Sequence, residues 1–197
     1  QRTFVDSIAP MLHALKSHLL KKVIVVSSTR VYGGSAGERV DDETSPQPSD
    51  AQGQVLLNME ATWQHAYPYE CVIVRPTGIY GASVTRMIKL AEITKTYPKL
   101  HWSNRIHIED LAAFLAHLLH VEHTEKSYIC SNSQPLPLHE IMQWFQQQLG
   151  LPALVLESDA PSGKQIYATR MQKMNFELQH PHCFDDYLAL LEERESK

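Results

Sequence analysis

The segment Val23-Ile24-Val25-Val26-Ser27-Ser28-Thr29-Arg30-Val31-Tyr32-Gly33 carries the strongest structural signal in the chain. Four β-branched residues in a row predict a strand over 23–28, buried on both faces as in a parallel sheet covered by helices. Two hydroxyls, Ser27 and Ser28, stand where that strand ends. Ligands of open α/β sheets collect just beyond such carboxyl ends, which makes both serines candidate site residues.

Upstream, Val5, Ile8, Leu12, Leu15 and Leu19 recur three or four apart and predict a helix over 4–20, with Lys16, Lys21 and Lys22 suited to its far end. Downstream, Gly33, Gly34, Gly37, the acidic run Asp41-Asp42-Glu43, Pro46 and Pro48 mark a loop. A helix follows over 50–66, with Val55, Leu56, Met59 and Trp63 on one face. Cys71 to Val74 reads as a second buried strand and Gly78-Ile79-Tyr80-Gly81 as a turn. The same reasoning gives helices over 84–93, 109–120 and 138–149, a third strand over 127–130, and a small mixed tail from 154 to 193. Strands alternating with helices imply a parallel α/β sheet with right-handed crossovers.

Of the 197 residues, 43% are hydrophobic and 20% charged, ordinary for a globular domain with a proper core. A net charge of -4 with no basic tract gives no general attraction to nucleic acid or to an anionic membrane, so neither is expected as a partner. Cys71, Cys130 and Cys183 are an odd number without C-x-x-C spacing, which suits free thiols in a reducing cytoplasm. No apolar run approaches the roughly 20 residues of a membrane helix. The chain opens at Gln1 within a predicted helix and without a leader, as a fragment would. Its eight glycines permit neither a G-x-G-x-x-G nor a G-x-x-G-x-x-G fingerprint nor a Walker loop. His117, His120 and His123, like His180, His182 and Cys183, form sets that no further ligand completes at a recognisable spacing, and no metal is expected. A Ser28–His107–Asp110 triad would lack the G-x-S-x-G elbow of a hydrolase.

Ser27-Ser28-Thr29-Arg30-Val31-Tyr32-Gly33 closely resembles the segment carrying the catalytic serine in extended short-chain dehydrogenases/reductases, the NAD-dependent epimerase/dehydratase family. Three further segments match in order. Val40-Asp41-Asp42-Glu43-Thr44 through Pro46 and Pro48 resembles the loop before the family's catalytic helix. Val74-Arg75-Pro76-Thr77-Gly78-Ile79-Tyr80-Gly81 resembles the turn that borders the nicotinamide, and Arg105-Ile106-His107-Ile108-Glu109-Asp110-Leu111-Ala112 the segment on the substrate side. The resemblance implies the C-terminal portion of a Rossmann-type parallel sheet with flanking helices, plus a small mixed C-terminal substrate lobe. Residues 1–135 would hold the distal part of the NAD(P)-binding domain, with part of the substrate lobe inserted around 82–108, and 136–197 the rest of that lobe. The first third of the family's fold, with its glycine-rich loop, is not in this sequence, so weak dinucleotide binding is expected of the chain alone.

The resemblance further implies NAD or NADP as cofactor, with Ser27, Pro76, Thr77 and Ile79 as contacts, and a small-molecule substrate met by Tyr32, Arg105 and His107. Ser28 would be the catalytic hydroxyl. The family's tyrosine and lysine positions fall on Gln52 and Leu56, neither of which can carry the proton. That departure resembles the atypical branch named for nucleoside-diphosphate-sugar epimerases, in which the pair is often absent. Ser103, Asn104 and Arg105 likewise stand where epimerases usually carry Arg-Asp-Phe/Tyr, whose arginine binds substrate phosphate, which points the same way. Two readings result: an epimerase/dehydratase-like oxidoreductase acting on a carbonyl or nucleotide-sugar-like substrate, or a non-catalytic dinucleotide-binding sensor or interaction protein. By the same resemblance, helices 4–20 and 50–66 would form a homodimer interface.

Overall fold

In the computed structural model, which describes residues 8–195, three parallel strands build the central sheet. They are β1 (Val23–Val26), β3 (Cys71–Pro76) and β8 (Ser127–Cys130), in the order β1-β3-β8. Val23 lies opposite Cys71 and Val26 opposite Val74, while Ile73 and Pro76 lie opposite Ser127 and Cys130. β3 is paired on both edges and buried at every residue.

The two faces of this sheet feed two cores, as strand alternation requires. Val25 and Ile73 pack with Ile8, Met59 and Trp63 under helices α1 (Ile8–Leu15) and α2 (Ala51–Ala66). Val72 and Val74 pack with Phe114 and Leu118 of α4 (Ile108–His120), and the partly buried Ile24 joins them. β1 departs from the expected strand buried on both faces. It forms an edge of the described sheet, and Val26, on the face opposite Val25, is 46% exposed.

The helix expected over 4–20 is shorter. Residues 4–7 lie outside the described residues, and the helix ends at Leu15 in tight turns closed by Lys16 N–H to His13 O and His18 N–H to Leu15 O. Leu19 therefore leaves the apolar face and stands fully exposed.

A third core joins α3 (Thr85–Ile93), α5 (Leu138–Gln148) and α7 (Cys183–Glu195) through Ile88, Ile141, Phe145, Tyr187 and Leu191. Above the central sheet, β4 (Gly78–Tyr80) pairs in parallel with β7 (Arg105–His107). A four-stranded sheet follows the order β2-β11-β6-β9, made of Glu38–Val40, Pro161–Ile166, Leu100–Ser103 and Leu136–Pro137. β11 thus reaches back between β2 and β6, and Ile166, Ala168 and Met171 enter the core around Val74 rather than the core of the C-terminal helices.

One buried ionic network joins three of these parts. Arg75, on β3, donates through Nε and Nη2 to Glu60 Oε1 and Oε2 at 3.1 and 2.7 Å, and through Nη1 to the Tyr32 hydroxyl at 2.8 Å. The guanidinium and carboxylate are 8% and 2% exposed, and the bidentate geometry is the one that best offsets their desolvation. Such a pair adds little over an apolar replacement of both partners, but loss of one partner strands a buried charge. Glu60→Ala is therefore expected to cost about 3–5 kcal/mol in urea unfolding. Glu43→Ala, which breaks the more exposed pair with Arg170, should cost less than about 1 kcal/mol.

Candidate functional site

The carboxyl ends of β1 and β3 open into a cavity of about 620 Å³ whose opposite wall comes from β6 and β11. Ser28, Thr29, Arg30, Thr77 and Gly78 line the near side; His101, Trp102, Asn104 and Lys164 line the far side.

Ser28 is extended, at φ -157° and ψ 150°, and starts a single 3-10 turn over Thr29–Val31. Its Oγ accepts the Arg30 N–H at 3.2 Å, which leaves the hydroxyl proton for the cavity. Ser27, one residue earlier, is buried, and its Oγ has no hydrogen-bond partner. The turn is held from two sides. Thr29 Oγ1 donates to Pro76 O at 3.3 Å, and Arg30 donates through Nε to both Asp50 oxygens. Asp50 also caps α2 by accepting the Gly53 N–H at 2.7 Å, and the Arg30 hydrogen bonds, with that cap, hold its carboxyl below the usual range. Gly53 permits this closeness, since a Cβ there would lie 2.7 Å from the Arg30 carbonyl oxygen.

On the far wall, Lys164 Nζ donates to the carbonyls of Tyr32 and, at 3.5 Å, Thr29. Asn104 braces the strand behind it, donating to Lys164 O and accepting from Ile166 N–H, both at 2.8 Å.

The residues expected from the sequence separate into groups. Ser28 and Thr77 share the cavity, with the Thr77 hydroxyl on Cys130 O at 3.4 Å. Pro76 closes β3 beside Ser27, whose N–H donates to Val74 O. Ile79 and Arg105 line a second cavity of about 250 Å³ with Tyr80, Arg86 and Tyr187. Arg105 is anchored there, donating to Tyr187 Oη at 2.6 Å and Ser103 Oγ at 2.7 Å. Tyr32 does not reach the substrate side, because its ring is buried and its hydroxyl accepts from Arg75. Gln52 is exposed on the first turn of α2 and does not line the Ser28 cavity.

His107 is likewise drawn elsewhere. Its ring stacks on His180 at 3.6 Å between centroids, and a Cβ on Gly81 would lie 2.1 Å from its Nε2. His180 bridges two carboxylates, Asp186 through Nδ1 at 2.6 Å and Glu109 through Nε2 at 3.2 Å. Asp110 accepts the N–H groups of Gln179 and His180, so it cannot serve a Ser28 triad. His107, Glu109 and His180 each bring one ligand atom within 4.8 Å of the others, a spacing that could hold a metal ion, although both His180 nitrogens are already engaged.

No protein-family model matches the sequence. The curated protein YeeZ of Escherichia coli K12 is 29% identical over 188 residues, which cover 90% of this chain and 65% of YeeZ; the chain thus spans just under two thirds of that relative. A solved structure from Methylobacillus flagellatus, provisionally named an NAD-dependent epimerase/dehydratase, is 33% identical, with a TM-score of 0.85 over 97% of this chain and 71% of that one. The chain belongs to the NAD-dependent epimerase/dehydratase family. Fold likeness extends to the dTDP-glucose 4,6-dehydratase of Bacillus anthracis, solved with NAD, at 16% identity and a TM-score of 0.75 over 95% of this chain and 67% of that one. Within this family member, the two segments that resembled the nicotinamide turn and the substrate side lie together as the paired strands β4 and β7.

The histidine pair should titrate in opposite directions. Burial disfavours the His180 imidazolium, but its hydrogen bonds to Asp186 and Glu109 prevail and raise its pKa above the ordinary 6.5. Burial and the neighbouring His180 charge lower that of His107. A raised histidine stabilises fully below its unfolded pKa and loses that contribution as pH rises through the folded value; for His107 the contribution is lost as pH falls. Ring NMR titration is expected to show the two midpoints on either side of 6.5, and Asp186→Asn should bring the His180 midpoint down.

Proposed function

We propose that this protein acts as an NAD(P)-dependent oxidoreductase of the atypical epimerase/dehydratase type, with the Ser28 cavity as its reacting centre. The observation that carries this reading is the convergence of Ser28 and Thr77, from the ends of adjacent parallel strands, on one cavity closed by a second sheet. A volume of about 620 Å³ suits a small carbonyl compound or a sugar ring.

The residues present fit the reacting end of a dinucleotide. Thr77 and Gly78 border the Ser28 cavity, and the Ser27 hydroxyl, one residue before Ser28 and outside that lining, is buried without a partner. The pyrophosphate-binding glycine fingerprint does not occur among the 197 residues. When bound, the nicotinamide supplies hydride exchange. Ser28 then donates its free O–H to the substrate carbonyl oxygen and fixes its orientation, while Trp102 offers an apolar face on the opposite wall. The NAD-bound dehydratase of the same fold supports this cofactor class. Carbonyl or nucleotide-sugar-like substrates, a cytoplasmic location and a homodimer through α1 and α2 complete the reading.

A non-catalytic dinucleotide sensor is the second reading. It is favoured by the exposed Gln52 and by Leu56, which packs partly buried against the apolar cores.

NADH and NADPH titrations, followed by fluorescence, would be run on this chain and on the longer Methylobacillus flagellatus relative. Binding by the relative with weak binding here supports a divided site, and binding by neither sinks the cofactor reading. Against a panel of carbonyl compounds and nucleotide sugars, Ser28→Ala is expected to lower turnover by about 10²-fold. Unchanged turnover would return Ser28 to a purely structural role.

A further inference from the structure

The cavity needs a group that can move a proton, and Gln52 and Leu56 on α2, at the family's tyrosine and lysine positions, do not supply one. Its titratable lining is Arg30, Asp50, His101 and Lys164. Arg30 does not give up a proton in the working range, and Asp50 is held ionised between Arg30 and the Gly53 N–H. His101 turns Nδ1 to Ser162 Oγ at 3.0 Å, along the seam of β6 and β11. Of the two on the far wall, it is Lys164 that reaches across to the turn beginning at Ser28, touching the carbonyl of the next residue, Thr29.

We propose that Lys164 is the proton-transferring residue of the Ser28 cavity, an inference that rests on the oxidoreductase reading above. Its amine is built into place. Gly163 at φ +72° brings β11 against β6, where a Cβ would lie 2.8 Å from Trp102 O, and Asn104 braces the Lys164 carbonyl. Two of its three N–H donors rest on the Tyr32 and Thr29 carbonyls, and the third remains for a substrate oxygen.

No carboxylate of the described residues lies within salt-bridge distance of it. The nearby acids are engaged elsewhere: Glu38, its register neighbour on β2, accepts from the Ser35 and Ala36 N–H groups, and Asp50 is bound to Arg30. Tyr32 presents only its carbonyl, since its hydroxyl is taken by Arg75. Partial burial therefore draws the Lys164 amine below the ordinary lysine range, with Arg30 adding to the effect and Glu38 and Asp50 opposing it.

With a reduced nicotinamide bound to supply hydride to the carbonyl carbon, the Lys164 ammonium would donate its proton to the carbonyl oxygen as the C=O π bond opens. The products are an alcohol, the oxidised nicotinamide and a neutral amine, which solvent reprotonates. Oxidation runs the same steps backwards.

Two measurements test this. In this chain, without cofactor, the Cε resonances of 13C-labelled lysines are followed against pH, with Lys164 assigned by its loss in Lys164→Arg. The expected Lys164 midpoint lies below the ordinary lysine value of 10.5, and a midpoint at that value overturns the proposal whether or not a dinucleotide binds. Glycolaldehyde with cyanoborohydride at neutral pH should then label Lys164 faster than added Nα-acetyl-lysine, as a larger neutral amine fraction favours; equal labelling also overturns it. Where hydride transfer is measured, Lys164→Arg keeps a cation and donors for the two carbonyls but should abolish the high-pH fall in kcat, whereas Ser28→Ala should lower kcat at every pH without moving that fall. A high-pH fall retained in Lys164→Arg and lost in His101→Gln assigns the proton to His101 instead. Failure of cofactor binding with a depressed Lys164 midpoint strikes the oxidoreductase reading and leaves the amine's chemistry supported.

Discussion

The buried contact between Arg75 and Glu60 governs how this molecule holds together. β3 is otherwise apolar, from Cys71 to Val74 and at Pro76. A side chain 8% exposed near its carboxyl end requires partners for its guanidinium, and it finds them in a carboxylate from α2 at Nε and Nη2 and a phenol from the turn after β1 at Nη1. Apolar contacts would tolerate small sliding of these parts, whereas a bidentate pair does not. The turn that starts at Ser28 is thereby set in register with the ends of β3, and the Ser28 and Thr77 hydroxyls inherit their spacing from an interaction neither touches.

Around that fixed turn, close approach replaces side chains. Gly53 lets α2 meet the Arg30 carbonyl, and Gly33 meets Gln47 O at a hypothetical Cβ distance of 2.4 Å. The near wall of the cavity is therefore largely backbone and short hydroxyls, with its one ion pair neutralised at the rim. The far wall brings the long polar side chains. This asymmetry suits a site in which one side orients a ligand and the other handles charge.

The sheet was legible because its strands are apolar runs that no helix period explains. The serines were legible because they follow such a run. Other features were hidden for identifiable reasons. β2, β6 and β11 contain Glu38, Arg39, His101, Lys164 and Gln165 and have no apolar alternation, because their pairing is decided by contacts more than 60 residues apart. Lys164 sits in no motif, so only the fold reveals that it faces Ser28. Tyr32 and His107, aromatic and imidazole groups beside motif residues, look like ligand contacts in the sequence. Arg75 and His180 claim them instead, through partners 43 residues away for Tyr32 and an imidazole stack for His107. The apolar period runs on to Leu19 although the backbone turns after Leu15, so the period alone overstates the helix at its C-terminal end.

The threading of β11 between β2 and β6 has a kinetic meaning. The contact from Lys164 to Thr29 spans 135 residues, so it forms only after most of the chain has been made and a long loop has been closed. During synthesis the sheet β1-β3-β8 can assemble while the cavity still lacks its far wall, and the edges of β2 and β6 wait unpaired for their partner. The pocket thus closes after the sheet beneath it, and a ribosome-bound chain would display that folded scaffold before it could recognise a ligand.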